Sequence, residues 1–241
     1  MAMAFTRGYA REVEAAFLAA TKVVVNNDDI RRMVAPYTRE AVAAPPGIWP
    51  DRFSADPPDP DRKNKIILFT GRATDQVKGG LLLRAAVNLL RSHRRDFSLV
   101  VTDQPWAKLA PYEPHVYPVG WYSPDRLPEL YARADICVVP SIWPEPFGIT
   151  ALEAMAAGRP VVASRTGGLA QSVVHGETGL HFENGDILGL AGALERLLDD
   201  PELRRRMGQA GRSRAEKVFH WDRLMESHYG PIYEDRIGRP G

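Results

Sequence analysis

The sequence is poor in cysteine, in long apolar runs and in net charge. Its single cysteine, Cys137, rules out an internal disulfide bond, and such sparse use of cysteine is typical of a reducing compartment, so we predict a cytoplasmic location. There is no apolar run of about 18 residues, so we expect no transmembrane segment, which leaves peripheral contact with a membrane open. The formal net charge of +1 gives no electrostatic reason to expect a nucleic-acid partner.

Metal-binding patterns are also missing from the sequence. The six histidines are scattered, and none forms a ligand pair at helical spacing. We therefore expect no metal and no resident cofactor. Cys137 lies inside the apolar run 136–139, so we interpret it as a packed small hydrophobe rather than a nucleophile.

The pattern of apolar segments after residue 64 predicts an α/β fold with a parallel sheet covered by helices on both faces. Short apolar, β-branched runs alternate there with segments of helical periodicity. The predicted strands are 65–70, 97–102, 115–119, 136–139, 160–163 and 180–182. The predicted helices are 81–93, 124–134, 148–157, 186–199, 201–217 and 221–236, and residues 103–114 are predicted to be irregular.

The first 62 residues show a shorter series of the same kind. The pattern predicts a helix over 8–21, a strand at 23–25, a helix from the Asn-Asn-Asp-Asp run to about residue 35, and a strand at 40–44. Residues 50–62 are rich in proline and aspartate, which predicts a linker.

Two carboxylates frame one strand–loop–helix–strand unit between residues 136 and 163. Glu145 lies in the proline-rich loop 140–146 that follows a predicted strand, and Glu153 lies in the next helix. Open parallel sheets bind their ligands at the carboxyl ends of strands, where this loop lies. The helix begins near Gly148 and supplies free amide groups and the positive end of a helix dipole.

A second loop of the same type carries two cations. Arg72 and Lys78 follow the predicted strand 65–70 and are flanked by Gly71 and Gly79. An arginine can bridge two phosphate oxygens, and a lysine is a mobile point charge. These residues therefore predict an anion site, and a diphosphate is the anion that suits them best.

The central stretch resembles the donor-binding half of GT-B glycosyltransferases, most closely the retaining family-4 group. The resemblance is carried by Glu145 and Glu153, by the Pro-Phe-Gly between them, and by the Glu-Ala-Met-Ala-Ala-Gly-Arg-Pro-Val-Val that begins at Glu153. It implies a Rossmann-like donor domain at residues 57–220, preceded by a truncated remnant of the N-terminal acceptor domain with its hinge at 1–56. Residues 221–241 then correspond to the C-terminal crossover helix.

The resemblance also implies roles for the site residues. Arg72 and Lys78 hold the diphosphate and steady the leaving group, beside Gly71. Glu145 binds hydroxyl groups of the transferred sugar and stabilises positive charge at its anomeric carbon, so Glu145, Arg72 and Lys78 form the predicted catalytic set. Glu153 binds the ribose. The backbone amides that face the donor belong to Phe147, Gly148, Ile149 and Thr150.

The base site is less defined by sequence. The resemblance places it near Gly120 and Trp121, although Trp121 is equally compatible with a core or interface position. Ser141 and Trp143 border the predicted pocket, and Gly167-Gly168 matches a turn beside it.

The leading hypothesis is thus an enzyme, or half of one, that transfers a hexose from a UDP-, GDP- or ADP-sugar with retention of configuration. The alternative is a non-catalytic subunit or remnant that binds a nucleotide sugar, and a nucleotide-sugar epimerase is less favoured by the context of the two glutamates. Because residues 1–49 predict a two-stranded piece of a larger sheet, we expect a homodimer or a separate acceptor-domain chain as partner.

Overall fold

The computed structural model describes residues 2–59, 62–72, 75–102 and 115–237, with backbone alone at 2–9 and 234–237. The chain divides into two compact units, one of Met1–Pro46 with Leu224–Gly241 and one of Gly47–Arg223. The three-part division proposed from the sequence stays a prediction. In the part of the chain that is described, no helix is both long and apolar enough to cross a membrane.

The smaller unit holds the predicted short strands, and its helices differ in their bounds from the prediction. It contains, in chain order, α1 (Ala2–Ala19), β1 (Val23–Val25), α2 (Asp28–Val34), a 3₁₀ turn (Ala35–Tyr37) and β2 (Ala41–Ala43). The two strands pair in parallel, with Val24 opposite Val42. Helix α1 begins before the predicted residue 8, and α2 is capped by Asn27, whose side chain accepts from the amide of Ile30 at 2.8 Å.

The end of the chain is not the single regular helix that the sequence predicted. Residues 221–237 comprise a short α-helix (Trp221–Leu224), a π-helical segment (Met225–Tyr229) and a second α-helix (Gly230–Ile237). Within the smaller unit, the hydroxyl of Tyr229 donates to the carbonyl oxygens of Ala44 and Pro45, each at 3.3 Å. A π-segment widens the helix by one residue, which apolar periodicity alone does not reveal.

The larger unit is built on a six-stranded parallel sheet, which confirms the predicted Rossmann-like α/β fold. Its strands are β3 (Lys65–Phe69), β4 (Phe97–Val101), β5 (Val116–Pro118), β6 (Ile136–Val139), β7 (Val161–Ser164) and β8 (Gly179–Phe182). Their order in space is β5-β4-β3-β6-β7-β8. The chain thus winds outward from β3 in one direction and then returns to wind outward from β6 in the other.

Helices cover the sheet on both faces. They are α3 (Gly80–Arg91), α4 (Leu127–Arg133), α5 (Ile149–Ala156), α6 (Leu169–Ser172), α7 (Ile187–Asp199) and α8 (Pro201–Lys217), with 3₁₀ turns at Pro50–Arg52 and Gln76–Lys78. Helix α4 begins later than predicted because the amide of Arg126 closes a turn on the carbonyl of Ser123 at 2.9 Å. Helix α6 was not predicted, and the predicted irregular segment 103–114 lies outside the described residues.

Alternate residues of the buried strands contribute to two separate cores. Ile67 and Phe69 of β3 pack with α3 and α7, whereas Leu68 packs with α5 on the other face. Cys137 belongs to the second core, and its burial raises the pKa of its thiol above the ordinary value. The interpretation of Cys137 as a packed hydrophobe is therefore confirmed.

Helix α8 lies against the turn between α5 and β7 at backbone distance. A Cβ atom on Gly208 would lie 2.1 Å from the carbonyl oxygen of Gly158, closer than any real contact allows. Gly192 of α7 differs, since a Cβ atom there would meet no atom within 4 Å. The two helical glycines thus have opposite packing requirements.

We expect Gly208→Ala and Gly192→Ala to change stability in opposite directions. Alanine at 192 lowers the backbone entropy of the unfolded chain and should stabilise by about 0.5–1 kcal/mol. Alanine at 208 forces the backbone of α8 away from Gly158 and should destabilise by about 1–3 kcal/mol. Urea unfolding of both variants measures this. Stabilisation by both substitutions would show that α8 is not held at this distance.

Candidate functional site

The reversal of strand order brings two loops together at the carboxyl edge of the sheet. The chain winds away from β3 toward one side of the sheet and away from its neighbour β6 toward the other. Such a switch point is where open α/β sheets bind ligands. The amides of Ile142 and Trp143, in the loop after β6, donate to the carbonyl of Val77, in the loop after β3, at 3.0 and 3.3 Å. The loops that carry Lys78 and Glu145 are thus bonded to each other.

Glycine makes this approach of the two loops feasible. Gly79 has a φ of 75°, and a Cβ atom there would lie 1.8 Å from the carbonyl oxygen of Pro140. A side chain at this position would therefore separate the loops. The lysine that precedes Gly79 is directed by this turn toward the loop after β6.

Lys78 and Glu145 form an ion pair at the centre of the site. The lysine Nζ lies 2.6 Å from Glu145 Oε1, and the hydroxyl of Ser141 donates to the same oxygen at 2.5 Å. Glu145 is 8% exposed, so its charge has little solvation of its own and depends on these partners. Ser141, which sequence placed only at the border of the pocket, therefore holds a predicted catalytic carboxylate.

The Gly167-Gly168 turn packs against the backbone of the loop that carries Glu145. The amide of Gly168 donates to the carbonyl of Glu145 at 2.6 Å. A Cβ atom on Gly167 would lie 2.4 Å from that carbonyl oxygen, and one on Gly168 would lie 2.4 Å from the Cα of Phe147. These contacts place the Gly167-Gly168 turn directly against the loop that carries Glu145.

Helix α5 begins immediately after the loop and directs its amino end to the same place. Gly148 is its N-cap residue, with a φ of 88°. The first amides of an α-helix have no partner within the helix, and the dipole makes this end positive. Ile149 is half exposed and Thr150 follows it, whereas the ring of Phe147 is buried against Phe219 at 5.5 Å. Of Phe147, only the backbone remains for a ligand.

Glu153 lies one turn further into α5 and belongs to a second polar cluster. The hydroxyl of Tyr131 donates to Glu153 Oε2 at 2.8 Å and lies 2.8 Å from the hydroxyl of Thr70. Burial raises the pKa of the Glu153 carboxyl, and the bond from Tyr131 partly opposes that rise. Sequence reasoning missed Tyr131 and Thr70, because only the fold brings α4 and the end of β3 to this helix.

Arg72 stands apart from the ion pair. Its side chain is 69% exposed, and its described acidic neighbour, Asp75, is 3.8 Å away. Gly71 before it packs on the ring of Phe69, where a Cβ atom would be 2.6 Å from the ring. Residues 73 and 74 lie outside the described part of the chain.

Aromatic side chains stand exposed near this edge of the sheet. Trp143 is 51% exposed in the loop after β6, and Trp121 is 79% exposed in the loop after β5. Gly120 precedes Trp121 with a φ of 79°. Among the described residues, no group of three or more His, Cys, Asp or Glu side chains is placed to hold a metal ion.

Comparison with known proteins places the chain in one family. The sequence profile of the family described as "Glycosyl transferases group 1" matches residues 52–214. The chain is 32% identical over 248 residues to the D-inositol 3-phosphate glycosyltransferase of Acidothermus cellulolyticus, covering 91% of this chain and 54% of that protein. It is 34% identical over 203 residues to the glycogen synthase of Mycobacterium tuberculosis, covering 81% and 49%.

The fold leads to the same relationship. The sucrose-phosphate synthase of Thermosynechococcus elongatus superposes with a TM-score of 0.79 at 29% identity, over 92% of this chain and 60% of that one. The chain spans about half the length of the curated relatives it matches. Since the family profile covers the switch-point loops and both glutamates, the chain belongs to the glycosyl transferases group 1 family.

Proposed function

We propose that this chain carries the donor site of a glycosyltransferase that moves a hexose from a nucleotide diphosphate sugar with retention of configuration. The observation that carries the proposal is the 2.6 Å contact of Lys78 with Glu145 at the switch point, beside the amino end of α5. A cation, a helix amino end and a carboxylate there match the diphosphate and the sugar of such a donor. Relatives named as a glycosyltransferase and a glycogen synthase support transfer as the reaction class.

The charges of the donor are bound by groups of the protein in this proposal. Lys78 leaves Glu145 for the diphosphate, Arg72 adds a second cation from its exposed position, and the first amides of α5 face the phosphate oxygens. These groups stabilise the negative charge of the departing nucleoside diphosphate without a metal.

The two glutamates bind different hydroxyl groups of the donor. Glu145 accepts from hydroxyls of the hexose and stabilises the positive charge that develops at its anomeric carbon. Glu153 accepts from the ribose through Oε1, because Oε2 already receives the Tyr131 hydroxyl. We propose UDP, GDP and ADP as the nucleotides to compare, and Trp121 as a surface on which the base stacks.

The second candidate function is donor binding without transfer by this chain alone. It is favoured by the described site, in which Lys78, Glu145 and the amino end of α5 all suit the donor. Incubation of the purified chain with nucleotide sugars and a panel of acceptors separates the two candidates. A glycosylated acceptor supports the enzyme, bound but unreacted donor supports the binding subunit, and epimerised donor contradicts both.

We also propose that the smaller unit pairs with a partner, either a second copy or a separate acceptor-domain chain. Among the described residues, β1 and β2 pair only with each other, and few side chains of this unit are buried. Two-stranded sheets are marginally stable in water, and their open edges favour pairing.

The phosphate assignment predicts how two cation variants behave. Nucleoside diphosphates should raise the Tm of the wild type saturably, because they bind the folded state alone. Lys78→Ala and Arg72→Ala should each weaken binding by about 1.5–3 kcal/mol, the contribution of a charge-assisted hydrogen bond. Lys63→Ala, which removes an exposed lysine elsewhere, serves as the matched control. Unchanged affinity in both site variants would show that the phosphates bind elsewhere.

The two glutamates should respond differently to the sugar. Glu153→Gln should weaken binding of both the nucleoside diphosphate and the nucleotide sugar by about tenfold or more. Glu145→Gln should weaken binding of the nucleotide sugar only, and should leave the nucleoside diphosphate as tight or tighter, since Lys78 is released from its ion pair. Calorimetry with both ligands decides this, and the reverse pattern would contradict the assignment.

Stability of the same Glu153→Gln protein shows whether weaker binding arises from a damaged fold. Between the ordinary carboxyl pKa of 4.5 and the raised pKa of Glu153, the folded state holds more protons than the unfolded state, so stability falls as pH rises. Glutamine cannot ionise, so the variant should be more stable than the wild type at pH 7, and this advantage should shrink as the pH falls through the raised pKa toward 4.5. Urea unfolding across this pH range measures it, and a variant less stable at pH 7 would contradict the argument.

Self-association of the purified chain tests the partner proposal. Light scattering at micromolar concentration should give a mass near twice the 26.8 kDa of one chain, unless a separate partner is required. In that case the chain should associate once the partner is supplied. A stable 26.8 kDa species that binds neither a copy nor an acceptor domain would refute the proposal.

A further inference from the structure

A cavity lies at the opposite edge of the sheet from the Lys78–Glu145 site. It has a volume of about 440 Å³ and is lined by residues at the amino ends of three strands, namely Lys65, the first residue of β3, Asp135 before β6 and Pro160 before β7. The start of α8 forms another wall. The strands run from this cavity toward the switch point, so the two sites are separated by the length of the sheet.

The carboxylates that line this cavity are already neutralised. Asp135 is bonded by the guanidinium of Arg62 and also accepts from the amide of Ile66 at 2.7 Å. Glu202 is bonded by two nitrogens of Arg205, at 2.5 and 3.0 Å. Each acidic group of the lining is thus bonded to an arginine other than Arg159 and Arg204, although Asp135 lies close enough to raise the pKa of both.

Arg159 is a buried cation that forms no ion pair with a carboxylate among the described residues. It is 2% exposed and donates to backbone carbonyls of Tyr131 at 3.0 Å, Ala132 at 3.1 Å and Asp56 at 2.5 Å. These bonds use Nε and Nη2, and Nη1 makes no hydrogen bond to a described residue. Burial lowers the pKa of the guanidinium, and the nearby acidic groups, Asp135 among them, only partly oppose that effect.

Arg204, on the other wall, is partly buried and is also held by backbone carbonyls. Its Nη1 bonds the carbonyls of Leu197 and Leu198, the latter at 2.9 Å, and it forms no ion pair with a described residue. Burial lowers its pKa as well. Arg159 and Arg204 are therefore two guanidinium groups held by backbone carbonyls, with donors left over and no ion pair to a carboxylate of the described residues.

We propose that this cavity binds a phosphate group, free or carried by a small metabolite. A buried charge is costly unless it is paired, so an anion between Arg159 and Arg204 relieves the desolvation of both. Guanidinium groups bind phosphate oxygens two at a time, and the volume lies in the range of small-molecule sites. This site is independent of the proposed donor site and does not require transferase activity.

Inorganic phosphate is the probe for this site, with chloride at matched ionic strength as the reference. At ten times its Kd, phosphate should raise the Tm of the wild type by about 3–6 °C. Arg204→Gln should weaken phosphate binding by about tenfold or more. Lys78→Ala should retain the shift, because it alters only the switch-point site.

Two further variants keep the test independent of folding. Gln209→Glu keeps the acceptor that Arg205 Nη1 bonds at 3.1 Å and adds a negative charge to the cavity wall, so it should weaken phosphate binding without unfolding α8. Arg206→Gln makes the same charge change as Arg204→Gln on an exposed position outside the cavity, and should bind phosphate as the wild type does.

A phosphate shift that is lost in Arg204→Gln and Gln209→Glu but kept in Arg206→Gln and Lys78→Ala supports the site. The proposal is overturned if the wild type responds no more to phosphate than to chloride. It is equally overturned if Arg204→Gln and Gln209→Glu respond as the wild type does, or if Lys78→Ala removes the shift.

Discussion

The need to neutralise one buried carboxylate organises the carboxyl edge of the sheet. Glu145 is almost enclosed, so its charge requires a cation and a donor within contact, which Lys78 and Ser141 supply. Lys78 reaches it only because the loops after β3 and β6 touch backbone to backbone, which the absence of a side chain at Gly79 allows. Gly167 likewise lets the turn after β7 approach the backbone of Glu145. The glycines, the ion pair and the position of α5 are therefore parts of one arrangement.

Sequence predicted the features that depend on local pattern. Apolar runs gave the six strands of the sheet, and the spacing of Glu145 and Glu153 around a helix start led to the family. It could not show that Lys78 meets Glu145, because that contact joins residues 67 positions apart. The support of Glu153 by Tyr131 and Thr70 was hidden for the same reason, since each belongs to a different element of the fold.

The two edges of the sheet differ because every strand runs in one direction. Helices that follow such strands direct their amino ends to one edge and their carboxyl ends to the other. At the carboxyl edge of the strands, the positive end of α5 accompanies Glu145. At the amino edge, the exposed carbonyls at the ends of α4 and α7 are bonded by Arg159 and Arg204. These arginines satisfy the carbonyl groups at the helix ends, and their remaining donors make that edge of the sheet cationic.

The enclosure of Cys137 gives the chain a chemical reporter at its centre. Cys137 is the only thiol of the sequence, and it is buried in β6, next to the strand from which the sheet reverses its order. A thiol reagent can react with it only when β6 separates from its neighbours, since both solvent access and the thiolate form are suppressed in the folded state. The rate of alkylation therefore measures how often the middle of the sheet opens, and a ligand that bridges the loops after β3 and β6 would slow it without any label being introduced.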